Sequence, residues 1–320
     1  MRTSGILSRL SFGLGKLKMQ EISNKDKKLR VVLVQMKSGP DWWENLMLVQ
    51  SLIDEARSRW PRFDLICFPE NCLFRGPRSL VCADKHDRPV LKFEGSRLKR
   101  DSSFSLAVEE MASDWDFGVC LGSVLEQSEF ENRPYNTLLW IEPKLRFVSY
   151  RKLHLFHFIS ERLRYEEFMD VHPGESPQLI NFGSFRFGMS ICYDLRFPEF
   201  YRWMAIHEGM EVALVPAAFT HLTGQDHWHC LLRARAIENR SYVLASGQWG
   251  WHQSERAGRI RCYGHTMAID PWGNILNELP EDGDGMFMVE LSRQKLSESR
   301  DKLQSVNDSF FQLSPRARHL

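Results

Sequence analysis

The sequence predicts an α/β fold in which helices cover a sheet. Short apolar runs rich in β-branched residues alternate with segments of helical periodicity. Two further pairs of apolar runs flank turn residues and predict antiparallel hairpins, which depart from a purely doubly wound pattern. No low-complexity linker or glycine-rich phosphate loop interrupts the series. The 320 residues could form one large domain or two modest ones, and we expect one.

The elements are predicted in chain order from these patterns. RVVLVQM at 30–36 is typical of a buried strand, and the next segment, 43–60, places Leu46, Val49 and Ile53 on one helical face. Further strands are predicted at 65–70, 117–126, 185–192, 212–218, 241–248 and 285–291. Further helices are predicted at 104–115, 198–209 and 226–240, and hairpins at 137–152 and 265–279.

Composition and charge exclude several classes of protein. The chain has 42 basic and 41 acidic residues and a net charge of +1, without a basic stripe that would indicate a nucleic-acid partner. No apolar run reaches the ~18 residues of a membrane span. The seven cysteines are odd in number and irregularly spaced, which argues against a disulfide scaffold. These observations predict a cytoplasmic protein that binds neither nucleic acid nor membrane.

The two ends of the chain differ from its centre. Residues 1–28 carry no acid before Glu21, and we expect a disordered extension. Translation from Met19 or an organelle-targeting role for this basic segment are the alternatives. Residues 29–295 are predicted to form the folded domain, and the polar residues 296–320 a C-terminal tail.

The segment FRFGMSICYDLRFPEF, residues 185–200, is the most informative of the sequence. It is typical of an apolar strand, then Cys192 in a turn, then a helix opened by Pro198. A cysteine at such a junction lies near free backbone N–H groups and a helix dipole, which stabilise the reactive thiolate. The competing interpretation is a cysteine that merely fills the core, as buried cysteines often do.

Two other strands also end in a charged residue. Glu70 closes the strand in LICFPEN, and Lys152 follows the hairpin strand in SYRKLHLF. Sites gather at the carboxyl ends of strands in α/β proteins, although either residue could be an ordinary solvated one. A Glu, a Lys and a Cys brought together would supply a base, an oxyanion-stabilising cation and a nucleophile.

These three segments together resemble the motifs of the nitrilase superfamily, the carbon–nitrogen hydrolases. FPEN around Glu70, YRKLHLF around Lys152 and CYDLRFPE around Cys192 also match in order and spacing. The resemblance, from about residue 29 to 291, implies a four-layer α-β-β-α sandwich and pairing into a homodimer or larger homo-oligomer. It implies that Glu70 is the general base, Lys152 the electrostatic stabiliser and Cys192 the nucleophile, with no metal or organic cofactor.

The resemblance also implies a second glutamate before Pro173–Gly174. Counting back from that pair gives Glu167, with Glu166 as the alternative. The segment between Lys152 and Glu167 departs from close relatives and predicts an altered pocket entrance. Substrate contacts are expected from Tyr193, Arg196, Phe219 and Thr220, and less strongly from Tyr135 and Asn136. Arg196 is a candidate for the substrate carboxylate, or alternatively part of a structural ion pair.

Downstream segments resemble the Nit branch of this family. They are RFPE (196–199), PAAFTHLTGQDHWHCLLRARAIEN (216–239), GQWG (247–250) and YGHTMAIDPWG (263–273). This implies hydrolysis, through a thioester, of a linear amide of a 2-oxo acid. We expect deaminated glutathione, which yields 2-oxoglutarate and cysteinylglycine, with α-ketoglutaramate or α-ketosuccinamate as the alternative. Two departures bear on specificity: His229 stands where close relatives usually carry Glu, and the segment before Tyr263 is longer than usual.

Three other functions compete with this one. A metallohydrolase would use closely spaced pairs such as His154 with His157 or His227 with His229, but no H-E-x-x-H motif or Cys/His quartet is present. A non-catalytic interaction protein of the Nit type would not need all three of Glu70, Lys152 and Cys192. Some relatives transfer the acyl group to an amine, but these are commonly anchored in membranes.

Overall fold

The fold is that of a computed structural model, which describes residues 27–77, 89–129, 133–159, 164–254, 258–303 and 306. The predicted extension at residues 1–28 lies almost entirely outside this part of the chain. Five α-helices are present among the described residues. They are α1 (Trp42–Arg59), α2 (Ser103–Ser113), α3 (Pro198–His207), α4 (His221–Asn239) and α5 (Arg293–Lys302).

The strands of the described chain are short, and most belong to two sheets. They are β1 (Lys28–Gln35), β2 (Leu65–Cys67), β3 (Val90–Leu91), β4 (Phe93–Glu94), β5 (Arg97–Leu98), β6 (Gly118–Glu126), β7 (Tyr135–Glu142), β8 (Arg146–Arg151), β9 (His157–Ile159), β10 (Arg164–Glu166), β11 (Leu179–Phe182), β12 (Phe185–Met189), β13 (Val212–Leu214), β14 (Tyr242–Ala245), β15 (Trp249–Ser254), β16 (Gly258–Tyr263), β17 (Met267–Ile269), β18 (Ile275–Glu278) and β19 (Gly285–Ser292).

The two sheets have mixed pairing. The first has the order β19-β1-β2-β6-β7-β8, with β3 also pairing with β6. Its β1, β2 and β6 are parallel, and the outer pairs are antiparallel. The second has the order β11-β12-β13-β14-β17-β18 and is parallel only from β12 to β14. Three two-stranded pieces, β4–β5, β9–β10 and β15–β16, complete the described strands.

Alternation along β1 explains how the layers form. Val32 and Val34 lie in the apolar cluster shared with α1 and α2. Val31 and Leu33 lie in the cluster that joins the two sheets to α3 and α4, because successive strand side chains point to opposite faces. Helices therefore cover the outer faces of two sheets packed against each other. The predicted α-β-β-α sandwich is confirmed.

Glycine at position 122 allows the sheets to approach closely beside the site described below. A Cβ built on Gly122, in β6, would lie 2.1 Å from the carbonyl oxygen of Phe68 and 2.3 Å from Cβ of Pro216. Only glycine leaves room here for the segment that runs from Phe68 to Glu70 and for the segment that runs from Pro216 to Ala218. Close packing at this glycine thus brings together two segments that are distant in sequence.

Most predicted elements are confirmed with small shifts at their ends. The clearest difference is α4, which begins at His221 and not at residue 226. Thr220 caps it, since its carbonyl accepts the N–H of Gly224, and a Cβ on Gly224 would lie 2.4 Å from the Tyr263 ring. The glycine is needed for packing here and does not end the helix. The hairpin β15–β16 was not predicted, because its residues alternate weakly in polarity.

Within the polar segment after Leu291, residues Arg293–Lys302 form the helix α5. Ser292 caps α5 by accepting the N–H of Lys295, and Leu296 is buried against the sheet core. The predicted boundary between domain and tail falls inside this helix. The domain limits themselves stay a prediction.

Candidate active site

Four residues predicted to be catalytic line one cavity. Each follows the end of a strand: Glu70 lies after β2, Lys152 after β8, Glu167 after β10 and Cys192 after β12. The remaining lining residues of the described chain are Asn71, Arg75, Phe156, Tyr165, Tyr193, Ala218, Phe219, Thr220, Thr223 and Ile260. The two sheets contribute opposite walls, so that the site forms only when the sandwich has packed.

Lys152 lies between two carboxylates. Its Nζ donates to Glu70 Oε1 at 2.8 Å and to Glu167 Oε2 at 2.9 Å, and all three side chains are at least nine-tenths buried. Burial alone would lower the pKa of Lys152, but the charges of Glu167 and Glu70 outweigh it and raise this pKa well above its usual value. Lys152 therefore stays an ammonium ion and cannot serve as the base at neutral pH.

Glu70 is held ionised by its partners. Its Oε2 accepts the backbone N–H of Ala218 at 2.8 Å, and its Oε1 accepts Nδ2 of Asn136 at 2.9 Å as well as Lys152. Burial works to raise the pKa of Glu70, but Lys152, Arg75 and the Ala218 N–H together lower it. A carboxylate fixed on both oxygens can accept a proton from only one well-defined direction.

Of the two adjacent glutamates, Glu167 is the one that reaches the site. Its Oε2 also accepts the backbone N–H of Phe156 at 2.7 Å. Glu166, half-buried, instead faces His157 at 3.8 Å across the β9–β10 hairpin. The count back from Pro173–Gly174 thus selects the residue that the structure brings to Lys152.

Asn136 connects the two carboxylates, a role that the sequence did not reveal. Its Nδ2 lies 2.9 Å from Glu70 Oε1 and 3.1 Å from Glu167 Oε1. It lies near the start of β7, where it is fully enclosed. Sequence reasoning named it only as a weak substrate contact. Its neighbour Tyr135 does not line the cavity among the described residues, and its hydroxyl contacts Glu129.

Cys192 occupies a constrained turn after β12. Its φ is +46°, a left-handed value that costs a non-glycine residue roughly 1–2 kcal/mol, and its N–H donates to the carbonyl of Pro216 at 2.9 Å. Burial, reinforced by Glu70, raises the pKa of the thiol well above its usual value, although Lys152 opposes this. Burial and the Glu70 carboxylate thus oppose the stabilised thiolate expected from the sequence, and attack then requires a base.

The turn that carries Cys192 is fixed by the buried Asp194. Its Oδ2 accepts the backbone N–H of Ile191 at 2.9 Å and the hydroxyl of Tyr150 at 2.7 Å. Its Oδ1 accepts the N–H of His154 at 3.0 Å and lies 2.7 Å from Nδ1 of that ring. Asp194 thereby links the cysteine turn to the chain just beyond Lys152.

Tyr193, Phe219 and Thr220, predicted to contact substrate, line the cavity. Arg196 is not among its described lining residues. Its guanidinium lies over the rings of Phe219 and Tyr193 and donates to Nδ1 of His227 at 3.1 Å.

Arg75 faces the cavity instead, and sequence reasoning missed it. Its Nη2 donates to Sγ of Cys262 at 3.3 Å, whereas its buried Nε has no hydrogen-bond partner among the described residues. It also lines an adjoining cleft with His252 and Asp170. Its position five residues after Glu70, beyond the same strand, was the available signal.

Comparison with known proteins gives the family of this chain. Residues 30–301 match the model of the carbon–nitrogen hydrolase family. The chain belongs to this family. As a carbon–nitrogen hydrolase it is an enzyme that hydrolyses carbon–nitrogen bonds other than peptide bonds, in linear amides.

Several carbon–nitrogen hydrolases are similar over most of the chain. A deaminated glutathione amidase of Synechocystis sp. is 34% identical over 287 residues, which cover 87% of this chain and 97% of the relative. The omega-amidase NIT3 of Saccharomyces cerevisiae is 30% identical over 220 residues, which cover 68% of this chain and 72% of the relative. The crystal structure of Saccharomyces cerevisiae Nit3, a member of branch 10 of the nitrilase superfamily, superposes with a TM-score of 0.72 and 27% sequence identity. The superposition covers 88% of this chain and 96% of the Nit3 chain.

Two segments that we expect to shape the pocket entrance contribute residues to the cavity of this hydrolase. Phe156 and Tyr165 of the β9–β10 region and Ile260 of β16 line the cavity. They add apolar surface to a cavity that also contains Glu70, Lys152 and Glu167. Residues 160–163 and 255–257 lie outside the described chain. No helix within the described residues is both long and apolar enough to cross a bilayer.

Proposed function

We propose that Cys192 hydrolyses a linear amide through a thioester, with Glu70 as general base and acid. The observation that supports this most directly is the buried Lys152 ammonium held between Glu70 and Glu167 in the cavity that contains the Cys192 thiol. The four side chains are each more than nine-tenths buried, so that electrostatic effects among them are strong.

The first half of the reaction forms the acyl-enzyme. Glu70 takes the proton from Cys192 as Sγ bonds to the amide carbonyl carbon, because the raised pKa of the thiol leaves little thiolate beforehand. Lys152 and the backbone N–H near Tyr193 stabilise the negative oxygen of the tetrahedral intermediate. The carbon–nitrogen bond then breaks, and Glu70 gives its proton to the leaving amine.

The second half releases the acid. Water loses a proton to Glu70 as its oxygen bonds to the thioester carbon. The carbon–sulfur bond breaks, and the proton returns from Glu70 to Cys192. Glu167 and Asn136 keep Lys152 and Glu70 in place through both halves.

The proposed substrate is a 2-oxo acid amide, with deaminated glutathione favoured. The Synechocystis relative bears that activity in its name and matches this chain over nearly its full length. Hydrolysis would give 2-oxoglutarate and cysteinylglycine. The second candidate is α-ketoglutaramate, because the yeast relative is named an omega-amidase.

Arg75 is proposed to bind a carboxylate of this substrate. Its side chain is partly buried and lines the cavity with Cys192 and Glu70, and its buried Nε has no partner among the described residues. A buried guanidinium can bind a carboxylate through two hydrogen bonds. Arg196, whose charge lies against two rings and His227, is the less suitable of the two arginines.

Direct comparison of the two amides tests this function. The purified full-length protein is given deaminated glutathione or α-ketoglutaramate, and 2-oxoglutarate is measured. A higher kcat/KM for deaminated glutathione supports the preferred substrate, and the reverse supports the shorter amide. Failure to cleave either would contradict the proposed substrate class while leaving the family unchanged.

We also propose a cytoplasmic location and a homodimer or larger homo-oligomer. The six cysteines within the described residues are free thiols, as a reducing compartment maintains. Leu222 and Ile237, both on α4, and Trp272 expose large apolar surfaces that pairing could cover. Light scattering after gel filtration gives the mass, and a monomer at micromolar concentration would contradict the assembly.

A further inference from the structure

A cluster of two histidines and a glutamate lies outside the catalytic cavity. His229 is on α4, His265 precedes β17, and Glu278 ends β18. Nε2 of His229 lies 2.8 Å from Glu278 Oε1, and Nδ1 of His265 lies 2.6 Å from the same oxygen. The three ligand atoms are all within 4.8 Å of one another. None of these residues is among the described lining of the catalytic cavity.

We propose that this cluster binds a divalent transition-metal ion of the zinc type. Two imidazoles and a carboxylate are ligands that zinc, cobalt and nickel accept, and three protein ligands leave a fourth position for water. With bonds of about 2.0–2.1 Å, ligand atoms in a tetrahedral site are about 3.3 Å apart. The two distances to Glu278 are shorter by less than about 1 Å, so that a small rotation of its carboxylate opens the site.

The backbone around His265 is held in an unusual conformation. His265 has a φ of +50°, and its carbonyl accepts Nε1 of the fully buried Trp228 at 2.9 Å. Trp228 is the residue before His229, so this hydrogen bond fixes the two histidines relative to each other. A strained residue that is locked in place by its surroundings is typical of a functional position.

Exposure of the three side chains suits an ion that enters from solvent. They are between 21% and 35% exposed, which is enough for access but leaves the ligands supported by neighbours. The ring of Tyr263 lies 4.4 Å from that of His265 and covers one side. A bound ion would join α4 to β18, the edge strand of the second sheet.

Ordinary hydrogen bonding between the histidines and Glu278 is the competing interpretation. In that case the nitrogen facing Glu278 carries the proton. In a metal complex the same nitrogen binds the ion, and the neutral ring keeps its proton on the other nitrogen. The two interpretations predict the same geometry for the metal-free protein, and only a measurement of metal binding distinguishes them.

The test is a titration of the full-length protein with Zn²⁺ and with Co²⁺. The Cys192→Ala variant is used throughout, so that the nucleophile cannot bind the ion. We expect one ion per chain by calorimetry and metal analysis. With Co²⁺ we expect visible d–d absorption of a tetrahedral nitrogen–oxygen site, without the intense ultraviolet absorption of a thiolate complex.

His229→Gln and Glu278→Gln decide between the interpretations. His229→Gln retains an N–H that can donate to Glu278, so it preserves a structural pair but removes a ligand. We expect each variant to weaken the affinity at least about tenfold and to lose the Co²⁺ spectrum. His221→Gln is the matched control, because His221 lies on the same helix and pairs with a different carboxylate, Glu281, at 2.9 Å.

Melting temperatures equal to that of the parent protein, measured without metal, show that the variants fold. Binding by His221→Gln equal to that of the parent supports the proposal. Absent or substoichiometric binding by the parent, a thiolate spectrum, or unchanged affinity in His229→Gln would overturn it.

Discussion

The ammonium nitrogen of Lys152 lies 2.8 Å from Oε1 of Glu70, with both side chains almost fully buried. The pair rests as ammonium and carboxylate, because each charge shifts the pKa of the other group toward its ionised form. The proton that Cys192 must lose can therefore go to Glu70 but not to Lys152.

Replacement of Glu70 by Gln should reduce turnover while preserving the fold. The amide keeps its oxygen for Lys152 and Asn136 and loses the acceptor of the Ala218 N–H, and it cannot accept the thiol proton. A general base contributes roughly 10²–10⁴ in rate. Steady-state kcat/KM for deaminated glutathione measures the loss. Wild-type turnover in a folded Glu70→Gln variant would exclude Glu70 as the base.

Alkylation of Cys192 by iodoacetamide should continue to accelerate above pH 9. The pKa of this thiol is raised by burial and by Glu70, so the thiolate fraction is still increasing in that range. Mass spectrometry of the Cys192 peptide follows the rate separately from that of the exposed Cys230. A plateau near pH 7 would instead indicate a thiolate at rest.

Asn136→Ala should move the acidic limb of the pH–activity profile upward. Loss of the N–H at 2.9 Å removes a bond that favours ionised Glu70, so the pKa of Glu70 rises. Activity requires the carboxylate and is then lost at a higher pH as acid is added. Asn239→Ala, another buried asparagine, serves as the control and should leave the limb in place.

Arg75→Met should raise KM for carboxylate-bearing amides by about 10- to 100-fold, the value of a charge-assisted hydrogen bond. A neutral amide substrate should show a much smaller change, which separates binding from the influence of Arg75 on Glu70. Arg196→Met provides the matched comparison. A large KM effect in Arg196→Met and none in Arg75→Met would assign the carboxylate to Arg196.

Lys152→Met should lower the free energy of unfolding by about 3–5 kcal/mol, as expected when a buried charge loses its partner. Glu70 would then be buried without its ammonium partner, and burial would raise its folded-state pKa above the unfolded value. Protonation favours the folded state under these conditions, so the variant should gain stability as the pH falls. Urea unfolding of the variant and the wild type at pH 5 and pH 8 tests this. The same loss of unfolding free energy at both pH values would contradict the prediction.

The elements and three of the polar strand ends could be predicted because their signals are local. β1 and α1 follow from periodicity, and Glu70, Lys152 and Cys192 each break an apolar pattern at a strand end. Asn136 could not be recognised in the same way, since it lies within a buried strand and acts only through residues 66 and 31 positions away.

The raised pKa of the Cys192 thiol could also not be predicted from local sequence patterns. The sequence indicates a strand–helix junction, which favours the thiolate, but not that Glu70 faces the thiol. Arg75 and Asp194 were missed for the same reason, because their partners Cys262 and Tyr150 come from other parts of the chain. Packing between segments that are distant in sequence decides all three.

Rapid acid quenching of the enzyme with deaminated glutathione, followed by peptide mass spectrometry, tests the central claim most directly. We expect the mass of a 2-oxoglutaryl group on the Cys192 peptide, and neither adduct nor turnover in a folded Cys192→Ala variant. Hydrolysis by Cys192→Ala at near the wild-type rate would contradict the assignment of Cys192 as the nucleophile.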